Sequence, residues 1–90
     1  MANVSAWVLG GRLKVVNRGP EKITLTNIVA NAQGLIAVPS GLEGGGVGLS
    51  PGETHEILLG QTMEYLPYVD FDIEFIDRTG LTMRSLRLKI

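Results

Sequence analysis

The side chains able to do chemistry are few. They are one histidine, His55, a row of carboxylates at alternate positions, Asp70, Asp72 and Glu74, and, among the serines, Ser40, Ser50 and Ser85. Alternating carboxylates on one strand can present oxygens to a hard cation such as calcium. A calcium loop counted from Asp70 would need glycine at its sixth position and an acid at its twelfth. The residues there are Phe75 and Leu81, so the row reads as the solvated face of a strand. Sugar hydrolysis needs two carboxyls in different environments across a cleft, which a flat row does not supply. His55 has no cysteine and no second histidine to share a metal with, and a hydrolytic triad would need one of the serines to meet it in a pocket. Gly44-Gly45-Gly46-Val47-Gly48-Leu49-Ser50 lacks the lysine that follows the last glycine of a phosphate-binding loop and misses the dinucleotide spacing. The expectation is no catalytic residue, no metal site and no cofactor: not an enzyme.

The elements that position these residues follow from composition. Ninety residues make one domain, 1–90, with room for a single core. Eight Val, seven Ile and six Thr stand against five Ala, which favours pleated strands over helices. The formal charge of −1 argues against a nucleic-acid binder, and the aromatics are too few on outward faces to stack bases. The absence of cysteine removes disulfides, thiolate nucleophiles and sulfur-ligated zinc. The first residues lack a basic leader and a signal-length apolar stretch, and nowhere do 18 apolar residues run together.

Turn signals divide the chain into pieces suited to a small sandwich or barrel. Arg12-Leu13-Lys14-Val15 alternates, as does Lys22-Ile23-Thr24-Leu25-Thr26, and with the Arg18-Gly19-Pro20-Glu21 turn between them they read as consecutive antiparallel strands. Leu35-Ile36-Ala37-Val38 reads as a buried strand, and Glu43 to Gly48 as a flexible loop or crossover. In Ser50-Pro51-Gly52-Glu53 proline presets φ and glycine accepts the positive φ of a type II turn. A strand with Ile57 and Leu59 on one face follows, then a connection from Gly60 to Leu66 with a single helical turn around Gln61 to Glu64. Val69 to Phe75 alternates without fault, Asp77-Arg78-Thr79-Gly80 turns, and Leu86, Leu88 and Ile90 point inward on the return. A hairpin pairing Phe71 with Leu86 sets Asp70 across from Arg87. The expected fold is an all-β antiparallel sandwich of about six to eight strands.

The order of these signals carries a resemblance. A strand ending Val15-Val16-Asn17-Arg18-Gly19 leads to a strand from Ile23. A Leu49-x-Pro51-Gly52-Glu53 turn then feeds a strand at Ile57, and a final hairpin follows. This resembles immunoglobulin-like surface modules, most of all the soluble β-domains of archaeal pilins, archaellins and the envelope-side accessory proteins of the archaellum. The resemblance implies an immunoglobulin-like sandwich, a place outside the cell or in its envelope, and a structural or adhesive role through contact with protein partners or copies of itself. It also implies a hydrophobic helix ahead of the domain, so membrane attachment would come only through a segment this sequence does not contain. The alternatives are a virion structural subunit and a small carbohydrate-binding module.

Candidate contact residues are Trp7, Tyr65 and Tyr68. Trp7 lies in the apolar stretch Val4 to Leu9; aromatics most often serve a core, so it is expected to close this domain's own core, with pairing to another subunit as the alternative. Tyr65-Leu66-Pro67-Tyr68 is expected to close one end of the sandwich, or else to meet a partner. Residues 43–77 hold acids and no Lys or Arg, residues 78–90 bases and no acid. Local neutralisation within the folded sheet is expected, with opposite patches and head-to-tail association as the alternative. Asn3-Val4-Ser5 fits an N-glycosylation sequon.

Overall fold

The structure is a computed structural model that describes residues 3–32, 35–37, 46–59 and 67–89. These residues form strands β1 (Val4–Leu9), β2 (Arg12–Asn17), β3 (Ile23–Ala32), β4 (Leu35–Ala37), β5 (Val47–Leu49), β6 (Thr54–Leu58), β7 (Tyr68–Asp77) and β8 (Gly80–Lys89). They make two antiparallel sheets. The first has the order β1-β2-β6; the second has β4-β3-β7-β8, with β5 also on β3. The chain is therefore all-β and sandwich-like.

Period-two alternation decides what lies between the sheets. Val4, Leu13, Val15 and Ile57 bury from the first sheet, and Ile23, Leu25, Ile28, Ala30, Leu49, Val69, Phe71, Ile73 and Phe75 from the second. Each large side chain so buried contributes about 1.5–3 kcal/mol before chain entropy is counted. Inward residues on β3 switch from odd to even positions after Leu25, which strict alternation forbids. A bulge between Leu25 and Asn27 makes the switch, so that Ile28 and Ala30 also reach the core. Thr26, at the bulge, shares its hydroxyl proton between Glu74 Oε1 at 2.9 Å and the Glu74 carbonyl at 3.2 Å.

The turns predicted at Ser50–Glu53 and Asp77–Gly80 form. Glu53 N donates to Ser50 O at 3.0 Å, and Gly52 takes φ +86°, which only glycine adopts without strain. In the final hairpin Asp77 Oδ1 accepts from Thr79 N at 2.8 Å and from Thr79 Oγ1 at 2.6 Å. The hairpin register sets Phe71 opposite Leu86 and Asp70 opposite Arg87, as period two requires.

The structure corrects the sequence reading in two places. β2 and β3 are not neighbours: they lie in different sheets, and residues 18–22 carry the chain across. The crossing is held by Asn17, which is fully buried. Its Nδ2 donates to Glu21 O at 2.7 Å and to Leu49 O at 2.9 Å, and its Oδ1 accepts from Gly19 N at 2.9 Å. In the glycine-rich segment, Val47-Gly48-Leu49 is a strand on β3 rather than a loop. Gly46 enters it at φ +122°, and a Cβ there would overlap the Leu25 carbonyl oxygen. Leu35–Ala37 does pair with β3, while Val38, Ile90 and the expected helical turn at 61–64 lie outside the described residues.

Candidate functional site

The outer face of the first sheet is built by the residues that alternation leaves over. Its pairing sets Trp7, Lys14 and Glu56 in one row and Leu9, Arg12 and Leu58 in the next. Trp7 therefore does not close the core. Val4, Ala6 and Val8 supply that side of β1, and Trp7 stands on the opposite face, 37% exposed. Leu9 and Leu58 are exposed on either side of Arg12. Lys14 Nζ and Arg12 Nη1 both reach Glu56, at 2.8 and 3.1 Å, and these donors, Lys14 foremost, hold its carboxyl below the ordinary range.

The outer face of the second sheet runs across β3, β7 and β8. Asn31, Asp70 and Arg87 in one row, with Asp72 and Ser85 in the next, border a shallow trough of about 420 Å³. Arg87 donates from Nε and Nη2 to the two oxygens of Asp70 at 2.8 and 3.2 Å, and its guanidinium lies 4.3 Å from the centre of the Tyr68 ring. This contact depresses the Asp70 pKa and raises that of Arg87. Ser85 Oγ donates to Asp72 Oδ1 at 2.6 Å. The three alternating carboxylates thus each have a neighbour: Arg87, Ser85 and Thr26 respectively. Toward the hairpin turn the same face becomes apolar, with Ile76, Leu81 and Met83 exposed.

The remaining sequence candidates are dispersed. His55 is half-buried on β6, opposite Val15 and on the face that carries Ile57, whereas Ser85 is on the outer face of the other sheet and Ser50 is in the Pro51-Gly52 turn. Among the described residues no three of His, Asp or Glu come together as a metal site. No family model and no curated protein matches the chain. Its candidate site is therefore argued from its own surfaces. Of the predicted contact residues, Trp7 and Tyr68 are exposed on the outer faces of different sheets, so they do not form one patch; Tyr65 and Ser40 lie outside the described residues. Asn3 is exposed just ahead of β1 and accepts from Arg18 N through its carbonyl at 2.7 Å.

Sequence reasoning passed over Leu58, Ile76, Leu81 and Met83 as exposed apolar residues. The signal was present. Where Ile57 and Leu59 point inward, Leu58 must point out, and where Phe75 is core its neighbour Ile76 is surface.

Between the acidic β7 and the basic β8 one ion pair forms, Arg87 with Asp70; Arg12 and Lys14 pair with Glu56, and Arg78 pairs with Glu21 at 2.6 Å. Arg18, Lys22, Arg84 and Lys89 make no ion pair among the described residues.

Proposed function

We propose that this chain is a non-catalytic structural domain that works through protein contact, in a cell-surface filament or an envelope-anchored motility or adhesion protein. The observation that carries the contact role is the outer face of the first sheet. There Trp7, Leu9 and Leu58 stand exposed on a face that strand alternation would ordinarily fill with polar residues. Exposed aromatic and leucine side chains among charged ones are the composition of an interface centre and its rim. The described polar side chains, by contrast, are largely spent on one another.

The immunoglobulin-like reading draws support from the strand orders. With β5, which pairs on β3, set aside, the orders β1-β2-β6 and β4-β3-β7-β8 are similar in chain order to an A-B-E sheet and a C′-C-F-G sheet. The filament and envelope setting, and a location outside the cell, rest on the resemblance of the Asn17-Arg18-Gly19 and Pro51-Gly52-Glu53 signals to archaeal surface modules.

Sedimentation velocity over a range of concentrations tests the reading, together with binding to the envelope fraction of the source cell. The expected result is association that the double substitution Trp7→Ser and Leu58→Ser weakens while the circular dichroism spectrum is unchanged. A strict monomer that binds no envelope component overturns it.

A further inference from the structure

β8 is ten residues long and hydrogen-bonds to β7 alone. Its other edge meets no strand among the described residues, although β1 passes near at the corner of the sandwich. An edge of this length is a template for a further strand unless side chains forbid it. Here the side chains select rather than forbid. The outward column of β8 reads Leu81, Met83, Ser85, Arg87, Lys89, apolar at the turn end and basic at the other. Arg84, on the opposite face, is exposed as well, and the strand holds no acid.

A second copy pairs poorly with this column. Parallel pairing in register would set Arg87 and Lys89 beside their own kind, and antiparallel pairing about Ser85 would set Leu81 beside Lys89 and Met83 beside Arg87. Like charges across a ladder repel, and a base gains nothing from a leucine. An extended segment with acids at one end and apolar residues at the other satisfies every position. The same pattern thus attracts one class of partner and rejects self-pairing, which is how specificity is built from both signs of interaction.

We propose that the free edge of β8 docks an extended acidic segment of a partner protein, added to the second sheet as a further strand. Its alternate carboxylates lie beside Arg87 and Lys89, and its alternate apolar side chains beside Leu81 and Met83. Main-chain hydrogen bonds supply the affinity, and the side-chain column sets direction and register. The inference rests on the reading of the chain as a protein-contact domain.

The test uses the whole chain and three ten-residue peptides, Asp-Thr-Asp-Thr-Thr-Thr-Leu-Thr-Val-Thr and its forms with Asn or Lys in place of Asp. Amide exchange and backbone chemical shifts report the site. The acidic peptide is expected to slow exchange along β8 and to bind about tenfold more tightly than the Asn form, a difference that two cross-strand charge pairs supply. Added salt weakens it. Lys89→Glu, which breaks no ion pair among the described residues, leaves one attractive and one repulsive pair for either charged peptide, and is expected to erase the preference for the Asp form over the Lys form. Protection on β1 or β6 instead of β8, equal affinity of the native chain for the Asp and Lys forms, a preference that Lys89→Glu leaves intact, or no binding at millimolar peptide overturns the proposal. Failure of the peptides in a chain that still associates through Trp7 and Leu58 overturns this edge site alone, whereas failure of both overturns the contact reading too.

Discussion

The side-chain amide of Asn17 donates to the main-chain carbonyl of Leu49 at 2.9 Å, joining the end of β2 in one sheet to β5 in the other. The same nitrogen reaches Glu21 O, the side-chain oxygen takes Gly19 N, and the Asn17 main chain holds Glu53 O and Gly52 N at 3.1 and 2.7 Å. One buried polar residue therefore ties together the crossover, the glycine-rich strand and the Pro51-Gly52 turn. No apolar residue could do this, because each of those main-chain groups needs a partner once it leaves water.

Replacing the Asn17 side chain strands Glu21 O, Leu49 O and Gly19 N, while the main-chain bonds to Glu53 O and Gly52 N remain. Asn17→Ala is expected to cost about 2–4 kcal/mol, from a small cavity and several orphaned main-chain groups at about 1–3 kcal/mol for each that water cannot reach. Asn17→Asp is expected to be worse, since it keeps the shape but cannot donate and puts a carboxylate against two carbonyls. Urea unfolding reads both through the midpoint at unchanged slope. A neutral Asn17→Ala would show that the crossover does not depend on this side chain.

Gly46 and Gly52 both take positive φ, yet their surroundings differ. At Gly52 an added Cβ meets open space, while at Gly46 it meets the Leu25 carbonyl oxygen. Gly52→Ala is expected to cost about 1 kcal/mol of backbone strain alone. Gly46→Ala adds a clash that only separation of β5 from β3 relieves, so its loss is expected to be larger, about 2–4 kcal/mol. Thermal unfolding of the two variants checks the order, and equal shifts would contradict the close approach of Gly46 to β3.

In the final hairpin, the inner face of β7 and the outer face of β8 carry unequal weight. Phe71→Ala empties a fully buried site and is expected to lose about 3–5 kcal/mol. Arg87→Ala removes an exposed ion pair and its contact with Tyr68, and is expected to move the midpoint far less. Chemical denaturation of the two variants decides, and a comparable loss at Arg87 would mean the pair does more than mark register.

How much of this was legible in the sequence depends on what period two can encode. Val69 to Phe75 has a single apolar face, so its burial, its register on β8 and the Asp70–Arg87 pair all follow from alternation. Alternation says which face is inward but not which sheet a strand joins, so the crossing between β2 and β3 was invisible. Its marker was Asn17-Arg18-Gly19, where a side chain can mimic a turn. Val4 to Leu9 carries large apolar residues on both faces, so alternation did not fix the direction of Trp7, and the expectation that it closes the core is overturned by Val4, Ala6 and Val8 taking that side. Glycine carries no pattern at all, so β5, whose pairing on β3 is purely main-chain at Gly48, read as loop.

Acid sensitivity follows from the carboxylates. Glu53 is held below its ordinary range chiefly by Ser50 N, Glu56 by Lys14, Asp70 by Arg87 and Asp77 by the Thr79 hydroxyl. A group whose folded pKa is depressed stabilises the fold above its unfolded value, and that contribution disappears as pH falls through the folded one. Stability is therefore expected to hold level from neutrality down to the ordinary carboxylate range and to decline below about pH 4. All four groups are exposed, so the decline is gradual and added salt flattens it. Urea midpoints at successive pH values measure the curve. Asp70→Asn is expected to lower stability near neutrality and to shrink the fall on the acid side, and a variant with the same acid slope as the native chain would show that the Arg87 contact does not persist in solution.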